Sequence, residues 1–329
     1  LEDVAGKPEA ARACYVEACR LEPSVPLYFK ALAQSQASAR DFGALAEARS
    51  GDANAVRGDS RHRAAIIAEH ARLFETRLGR LEEATELYQQ VLDIDPQASS
   101  ALTSLKRLLH EQRRWRELVT VLEREASQAR DPAIVTQALF RIGRIYGERL
   151  GSREDSVAAL ARAMQSSPSD RLVLDSLARI YEAASEHAHL ASVLAHTVDT
   201  VAEPAERIAL LHRIGGIYEK QLEDDEQARR WYEASLGIDV AYMPSIHALD
   251  NLYERLQAWE SLIVMHMAMS DAVADASRRA GAHARIAEIF ESRLASNDEA
   301  MRHHELALSL DPGLETSFKA LVRLYEKHQ

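Results

Sequence analysis

The side chains of this 329-residue chain that could do chemistry are thirteen histidines, two cysteines and several carboxylate clusters. Chelation of a metal from one helix needs ligands a turn apart, at i and i+4. The closest histidines, His187-Ala188-His189 and His303-His304, are alternate and adjacent instead, while His62 and His70 lie further apart, so all of them read as packing or surface residues. Glu82-Glu83 and Asp224-Asp225-Glu226 could pass for catalytic carboxylates. They fall where helices should start, and negative charge there complements the helix N-terminus. On a helix Cys14 and Cys19 are turned about 140° apart, so they should not pair with each other. Arg57-Gly58-Asp59 matches a short adhesion tripeptide of a kind that arises by chance. No Gly-rich phosphate loop, serine elbow or Cys/His nucleophile arrangement occurs. The chain is therefore expected to be non-catalytic and to need neither cofactor nor metal.

Composition narrows the partners. Hydrophobic residues make up 47% and charged residues 28%, with 9 Pro and 13 Gly, a folded and helix-favouring balance. The formal net charge of -11 disfavours nucleic acid and anionic membranes, both of which rely on a positive surface field. The longest apolar stretch, around Leu262 to Met269, is broken by His266 and falls short of the ~18 residues needed to span a bilayer. With so few cysteines, a reducing compartment, the cytoplasm, is the expected location, although two cysteines are also compatible with an export pathway.

The elements that position these side chains follow from a repeat. Phe74-Glu75, Tyr146, Tyr218-Glu219 and Phe290-Glu291 recur at a period of 72, each followed four residues later by Leu78, Leu150, Leu222 or Leu294. Apolar residues within each unit fall at i, i+3, i+4 and i+7, so the chain should be all-α. The helix before the landmark carries Leu139, Ile142, Gly143 and Tyr146 on one face, then Leu211, Ile214, Gly215 and Tyr218 in the next copy. Its small residue, Ala71 and Ala287 in the other copies, allows a neighbouring helix to approach. A second helix shows Ala84, Tyr88 and Val91 before Asp95-Pro96; its equivalents are Ser156, Leu160, Ala163 and Pro168, then Ala228, Tyr232 and Ser235, then Ala300, His304, Ala307 and Asp311-Pro312. Proline stops that helix, and in the third copy Val240 takes its place.

The other half of each unit repeats the pattern. Leu102, Leu105 and Leu109 match Leu174, Leu177 and Tyr181, Ile246, Leu249 and Tyr253, and Phe318, Leu321 and Tyr325; Trp115 and Leu118 match His187 and Leu190, and Trp259 and Leu262. Asp131-Pro132 and Glu203-Pro204 should open the next units, the acid as N-cap and the proline at the first helical position. Each 72-residue unit is thus two helical hairpins. The stretch Gly51 to Gly58 reads as a loop.

This order of bulky, leucine, small and aromatic residues, followed by Ala, aromatic, Ala and Pro, resembles the tetratricopeptide repeat family over essentially the whole chain. It is carried by Leu139, Ile142, Gly143, Tyr146, Ser156, Leu160, Ala163 and Pro168 and by seven further copies. The second hairpins depart from it, with Lys106, Ala178, Asp250 or Val322 at the small position, so packing there should be looser. The resemblance implies a right-handed α-solenoid, one domain over 1–329, of about eight hairpins plus an unpaired helix at each end. Ala11, Tyr15, Ala18 and Pro23 match a second helix without its first, and Phe318 onward a first helix without its second. The chain is accordingly expected to be a segment of a longer array, and its Ala- and Arg-rich paired repeats look like long bacterial members of the family.

In such stacks the first helices line a concave groove, and the residue after the small position points into it. That column reads Arg72, Arg107, Arg144, Arg179, Gly216, Asn251, Glu288 and Arg323. Stacked guanidiniums can hold carboxylates or phosphates bidentately, which suits an acidic or phosphorylated protein or peptide. The competing reading is that each arginine pairs with a local glutamate at the surface. Thr103 with Arg107 and Phe140 with Arg144 stand where the family's carboxylate clamp has lysine and asparagine, so that clamp is not expected. The resemblance implies a protein-interaction scaffold; the alternative is a regulatory repeat domain that controls an attached effector.

Overall fold

The computed structural model describes residues 8–56 and 58–327, which form eighteen α-helices and no strand. The chain divides into two compact units, Leu1–Ala159 and Leu160–Gln329. The first contains α1 (Pro8–Leu21), α2 (Pro26–Ala39), α3 (Phe42–Ala55), α4 (Ser60–Leu73), α5 (Leu81–Ile94), α6 (Ser99–Glu111), α7 (Trp115–Gln128), α8 (Pro132–Ile145) and the start of α9 (Arg153–Ser166). The second continues from α9 with α10 (Arg171–Ala183), α11 (His187–Thr200), α12 (Pro204–Lys220) and α13 (Asp225–Leu236). It ends with α14 (Met243–Leu256), α15 (Trp259–Ala272), α16 (Ala276–Ser292), α17 (Asn297–Leu310) and α18 (Glu315–Lys327). Eight hairpins, α2/α3 through α16/α17, and the single helices α1 and α18 account for all of them. Within each unit the helix packing is between elements close in sequence.

The helix starts are chemically marked. Asp131 accepts from the Ala133 amide at 2.9 Å, with Pro132 opening α8 as expected. Glu203 precedes Pro204 in the same way, but its side chain does not cap α12. Asp224 caps α13, and Glu82, Glu83, Asp225 and Glu226 occupy first turns, the helix-start role read from the sequence. Asp59 of the adhesion-like tripeptide caps α4 through the His62 amide at 2.9 Å, while Arg57 lies outside the described residues.

One expectation is overturned. Gly51 to Ala55 is not loop but the last part of α3. A Cβ on Gly51 would lie 2.1 Å from Phe29 Cε1, so the glycine is a contact point between the two helices of the first hairpin. Only the residues after Ala55, with Gly58 at φ 91°, connect α3 to α4.

Every hairpin turn contains one residue in the left-handed region: Arg40, Gly79, Arg113, Gly151, Ser185, Glu223, Gln257 and Ala295. Only two are glycine, the residue that adopts this conformation without steric cost. Those two, Gly79 and Gly151, follow a five-residue π-helical turn, Phe74–Leu78 and Tyr146–Leu150, that extends α4 and α8. At the equivalent places α12 and α16 have no such turn and continue as α-helix to Lys220 and Ser292.

The cores are the predicted stripes. Leu105, Leu108, Leu109, Leu118 and Leu122 are at most 1% exposed in the first unit. In the second, Ala228, Tyr232, Leu249, Leu252, Tyr253, Leu262 and Ile289 form one cluster, with Trp259 packed against it. Burying a leucine fully contributes roughly 1.5–3 kcal/mol, so these columns dominate the cohesion of neighbouring hairpins. Close approach at the small position is visible at Gly215, where a Cβ would lie 2.6 Å from the Tyr232 ring.

The landmark glutamate has a structural task. Tyr88 donates to Glu75 at 2.9 Å and Tyr232 to Glu219 at 2.8 Å, tying the two helices of a hairpin together. Burial first, and then the neighbouring glutamate, hold the Tyr232 phenol far above its ordinary titration range. Where the tyrosine is Leu160, the glutamate is Gly147.

The second hairpins are not simply looser at their non-small position. Lys106 donates to both oxygens of Glu125 across α6 and α7, at 2.6 and 2.8 Å, with both side chains under 20% exposed. Asp250 meets the buried His266 of α15 at 2.8 Å. A polar pair replaces close helix approach.

Candidate functional site

The arginine column lies on first helices, and all of its charged members are exposed. Arg72 is on α4, Arg107 on α6 and Arg144 on α8 in the first unit; Arg179 is on α10, Asn251 on α14 and Arg323 on α18 in the second. Arg107 is held by Glu111 at 2.9 Å and by Glu75, both of which favour its charged form, Glu111 most. Arg144 pairs with Glu148 at 2.9 Å and Arg323 with Glu291 at 2.7 Å. Arg179 reaches only its own helix, with its Nε 3.4 Å from the Asp175 carbonyl oxygen. Among the described residues the side chains of Arg72 and Asn251 have no hydrogen-bond or ionic partner. Local pairing with glutamate thus accounts for Arg107, Arg144 and Arg323. Such exposed pairs contribute about 0–1 kcal/mol and exchange readily with an incoming anion.

A cavity of about 440 Å³ opens between α6 and α8 in the first unit. Thr103, Lys106, Arg107, His110, Glu111 and Arg141 line it. It brings Arg107 together with two further cations, but neither Arg72 nor Arg144 is part of its lining. Lys106 is already committed to Glu125, whereas Arg141 has no ionic partner among the described residues.

Arg141 belongs to a second arginine column that the first-helix reading missed. Arg141, Arg213 and Arg285 recur at the 72-residue period, two places before the small position. In the second unit each of these arginines is neutralised by the preceding hairpin: Arg213 donates to Glu182 at 2.5 Å, and Arg285 bonds to Glu254. The residue of the first unit equivalent to Glu182 and Glu254 is His110. Its ring packs edge-on against Trp115, with centroids 5.1 Å apart. The recurrence at one period was the signal available in the sequence. Which arginine of the series lacks its carboxylate emerges only when two neighbouring hairpins are aligned.

The histidine pairs make no chelate. His187 is half-buried, His189 stacks on Tyr181 with centroids 5.0 Å apart, and His304 is buried. Among the described residues no three His, Cys, Asp or Glu side chains converge on a point where a metal could sit. Cys14 is exposed, Cys19 is buried, and both are free thiols. No helix of the described residues is long and apolar enough to cross a membrane.

Tetratricopeptide repeat family models match residues 71–98, 101–135 and 137–170. No curated protein matches the sequence. Among solved structures, YrrB, a TPR protein with an unusual peptide-binding site, aligns at 16% identity and a TM-score of 0.32, covering 57% of this chain and 92% of its own. A chain of the Naa15/Naa10 complex bound to HypK-THB aligns at 15% identity and a TM-score of 0.39, over 99% of this chain and 54% of its own. A tetratricopeptide repeat protein from Parabacteroides merdae aligns at 14% identity and a TM-score of 0.33, over 82% of this chain and 100% of its own. Three consecutive family matches fall on hairpins α4/α5, α6/α7 and α8/α9, and helical hairpins continue from there through α16/α17: residues 71–170 are tetratricopeptide repeats.

Proposed function

We propose that this tetratricopeptide-repeat chain is a non-catalytic scaffold that holds an acidic or phosphorylated peptide segment of a protein partner on the first-helix face of its first unit, in the cytoplasm. The observation that supports this reading is Arg141. The repeat supplies a glutamate for Arg213 and Arg285, yet at Arg141 it places His110 and leaves the guanidinium exposed beside a cavity. An incoming carboxylate or phosphate meets no competitor at Arg141. At Arg107 it competes with two carboxylates, Glu111, which is 48% exposed, and the more buried Glu75. Arg72, likewise without an ionic partner, lies on the neighbouring first helix α4 and offers a second charge to a longer segment. Guanidinium forks bind such oxyanions bidentately.

The test is fluorescence anisotropy with a labelled phosphoserine- and glutamate-rich peptide. Arg141→Glu is expected to weaken binding by about tenfold or more, one bidentate charged contact, while Arg213→Glu in the second unit leaves it nearly unchanged. Affinity should fall as salt rises, because the contact is exposed. Equal affinity for wild type and Arg141→Glu, or no binding by either, rejects the reading.

A further inference from the structure

The 72-residue period aligns two grooves on the chain, each formed by the second helix of one hairpin and both helices of the next, and a third set of equivalent positions between them on α10 and α11. Their linings can be compared position by position. In the first unit the groove lies between α5, α6 and α7, a cavity of about 480 Å³ floored by Leu105 and Leu109, and most of its walls are polar, with Gln89, Gln90, Arg114, Glu117 and Thr120 among them. Next to it Arg124 of α7 bonds to the end of α5, donating to the Leu92 carbonyl at 2.8 Å and to Asp93 at 3.1 Å. In the copy on α10 and α11, His189 stacks on Tyr181.

The third copy, between α13, α14 and α15, differs at the same positions. Ser261 replaces Glu117 and His189, Val264 replaces Thr120 and Ser192, and Ala268 replaces Arg124 and His196. Val240 replaces Pro96 and Pro168. The cavity here, about 470 Å³, matches the first copy in size but is apolar in its walls: Leu249 and Tyr253 floor it, and Leu236, Val240, Val264 and Met265 line its sides. This lies within the ~300–1,000 Å³ range of ligand clefts. Val264 is 66% exposed, an apolar side chain directed to water where the other copies carry a hydroxyl. The two titratable groups at the rim besides Tyr253 are carboxylates, Glu233 and Glu260. Glu233 is shared between Arg229 and Tyr253, whereas Glu260, which stands where the first unit has Arg116, has no ionic partner among the described residues.

We infer that this groove on α13, α14 and α15 docks a basic amphipathic helix of a protein partner, whose apolar side chains enter between Leu236, Val264 and Met265 and whose lysines or arginines meet Glu260 and Glu233. Charge complementarity selects that occupant over an acidic one. The thioether of Met265 lets the wall adapt to aliphatic or aromatic side chains, and the slot between two helices suits the helix-in-groove mode. The site is independent of the arginine-lined cavity of the first unit and takes the opposite charge.

The probe is a labelled Leu/Lys amphipathic peptide of about 18 residues, with a Leu/Glu peptide of the same pattern as counterpart. The Leu/Lys peptide is expected to bind at least about tenfold more tightly than Leu/Glu. Ala268→Arg, which places a long cation in the lining where the first copy has Arg124, should weaken it by about tenfold, and Val264→Ser by several-fold. Thr120→Arg adds the same charge at the polar copy and should leave the affinity unchanged. Both groove positions are exposed, so the variants are expected to fold, with circular dichroism as the check. Equal affinity for the two peptides, or equal losses from Ala268→Arg and Thr120→Arg, overturns the proposal. Self-association abolished by Ala268→Arg in sedimentation also overturns it, since the occupant would then be a second copy of the chain.

Discussion

At the scale of single residues, His304 shows what one substitution in a repeat costs. Its column holds Tyr88 and Tyr232 in two other copies, each donating to a glutamate thirteen residues earlier. The fourth copy keeps the glutamate, Glu291, but has a histidine that is 2% exposed and whose two ring nitrogens lack hydrogen-bond partners among the described residues. Burial pushes its pKa below the ordinary histidine range. The unfolded chain therefore takes up a proton below about pH 6.5 that the folded chain resists, so this contribution lowers stability as the pH falls and vanishes above that range. His304→Tyr should restore the hydrogen bond to Glu291 and stabilise the fold by about 0.5–1.5 kcal/mol at pH 7. The copy that carries Tyr88 has alanine, Ala71, at its small position, as the fourth copy has Ala287, so the new ring meets no larger residue there. Urea midpoints at pH 7 and pH 5 check both parts: the variant should have the higher midpoint at pH 7 and a smaller loss at pH 5. A midpoint at or below wild type at both values contradicts the assignment.

At the scale of elements, the eight hairpins share one turn but not one sequence. Gly79 and Gly151 hold the left-handed position at no steric cost, whereas Glu223 and Ala295 adopt φ 54° and 50° with a Cβ in place. Glu223→Gly and Ala295→Gly should each stabilise the chain by roughly 0.5–1 kcal/mol, and Gly151→Ala should destabilise it by about as much. Thermal midpoints of the three variants test this; a lower midpoint for Ala295→Gly would show that relief of strain does not outweigh the added freedom of the unfolded chain. These turns also mark what was legible beforehand. Leucine, small-residue and aromatic spacing gave the eight hairpins, because burial of a stripe is set by side-chain type. The left-handed residues were not legible, since Arg40, Arg113, Ser185 and Gln257 have no local signature and are forced into that conformation by the packing of the helices on either side. Gly51 was read as a loop for the complementary reason: glycine also marks close helix contact, and only Phe29 across the hairpin distinguishes the two.

At the scale of the whole chain, the arginines on first helices were legible as a column, but their state was not. Charge pairing runs between residues about 32 apart, as in Arg107 with Glu75 and Arg323 with Glu291, so it depends on how consecutive hairpins register. The same nearest-neighbour logic governs stability. Helix packing within each unit joins elements close in sequence, so cohesion is the sum of local interfaces and a defect should spread only as far as its neighbours. Leu118 is fully buried in α7, and Leu118→Ala is expected to cost about 2–5 kcal/mol by leaving a cavity. Hydrogen exchange should show faster opening in α6, α7 and α8 while the amides of α14 to α17 keep their wild-type protection. The reciprocal change, Leu262→Ala in α15, should spare α4 to α7. If either substitution raises exchange uniformly over all the helices, the chain unfolds as one cooperative body, and the description of independent local interfaces fails.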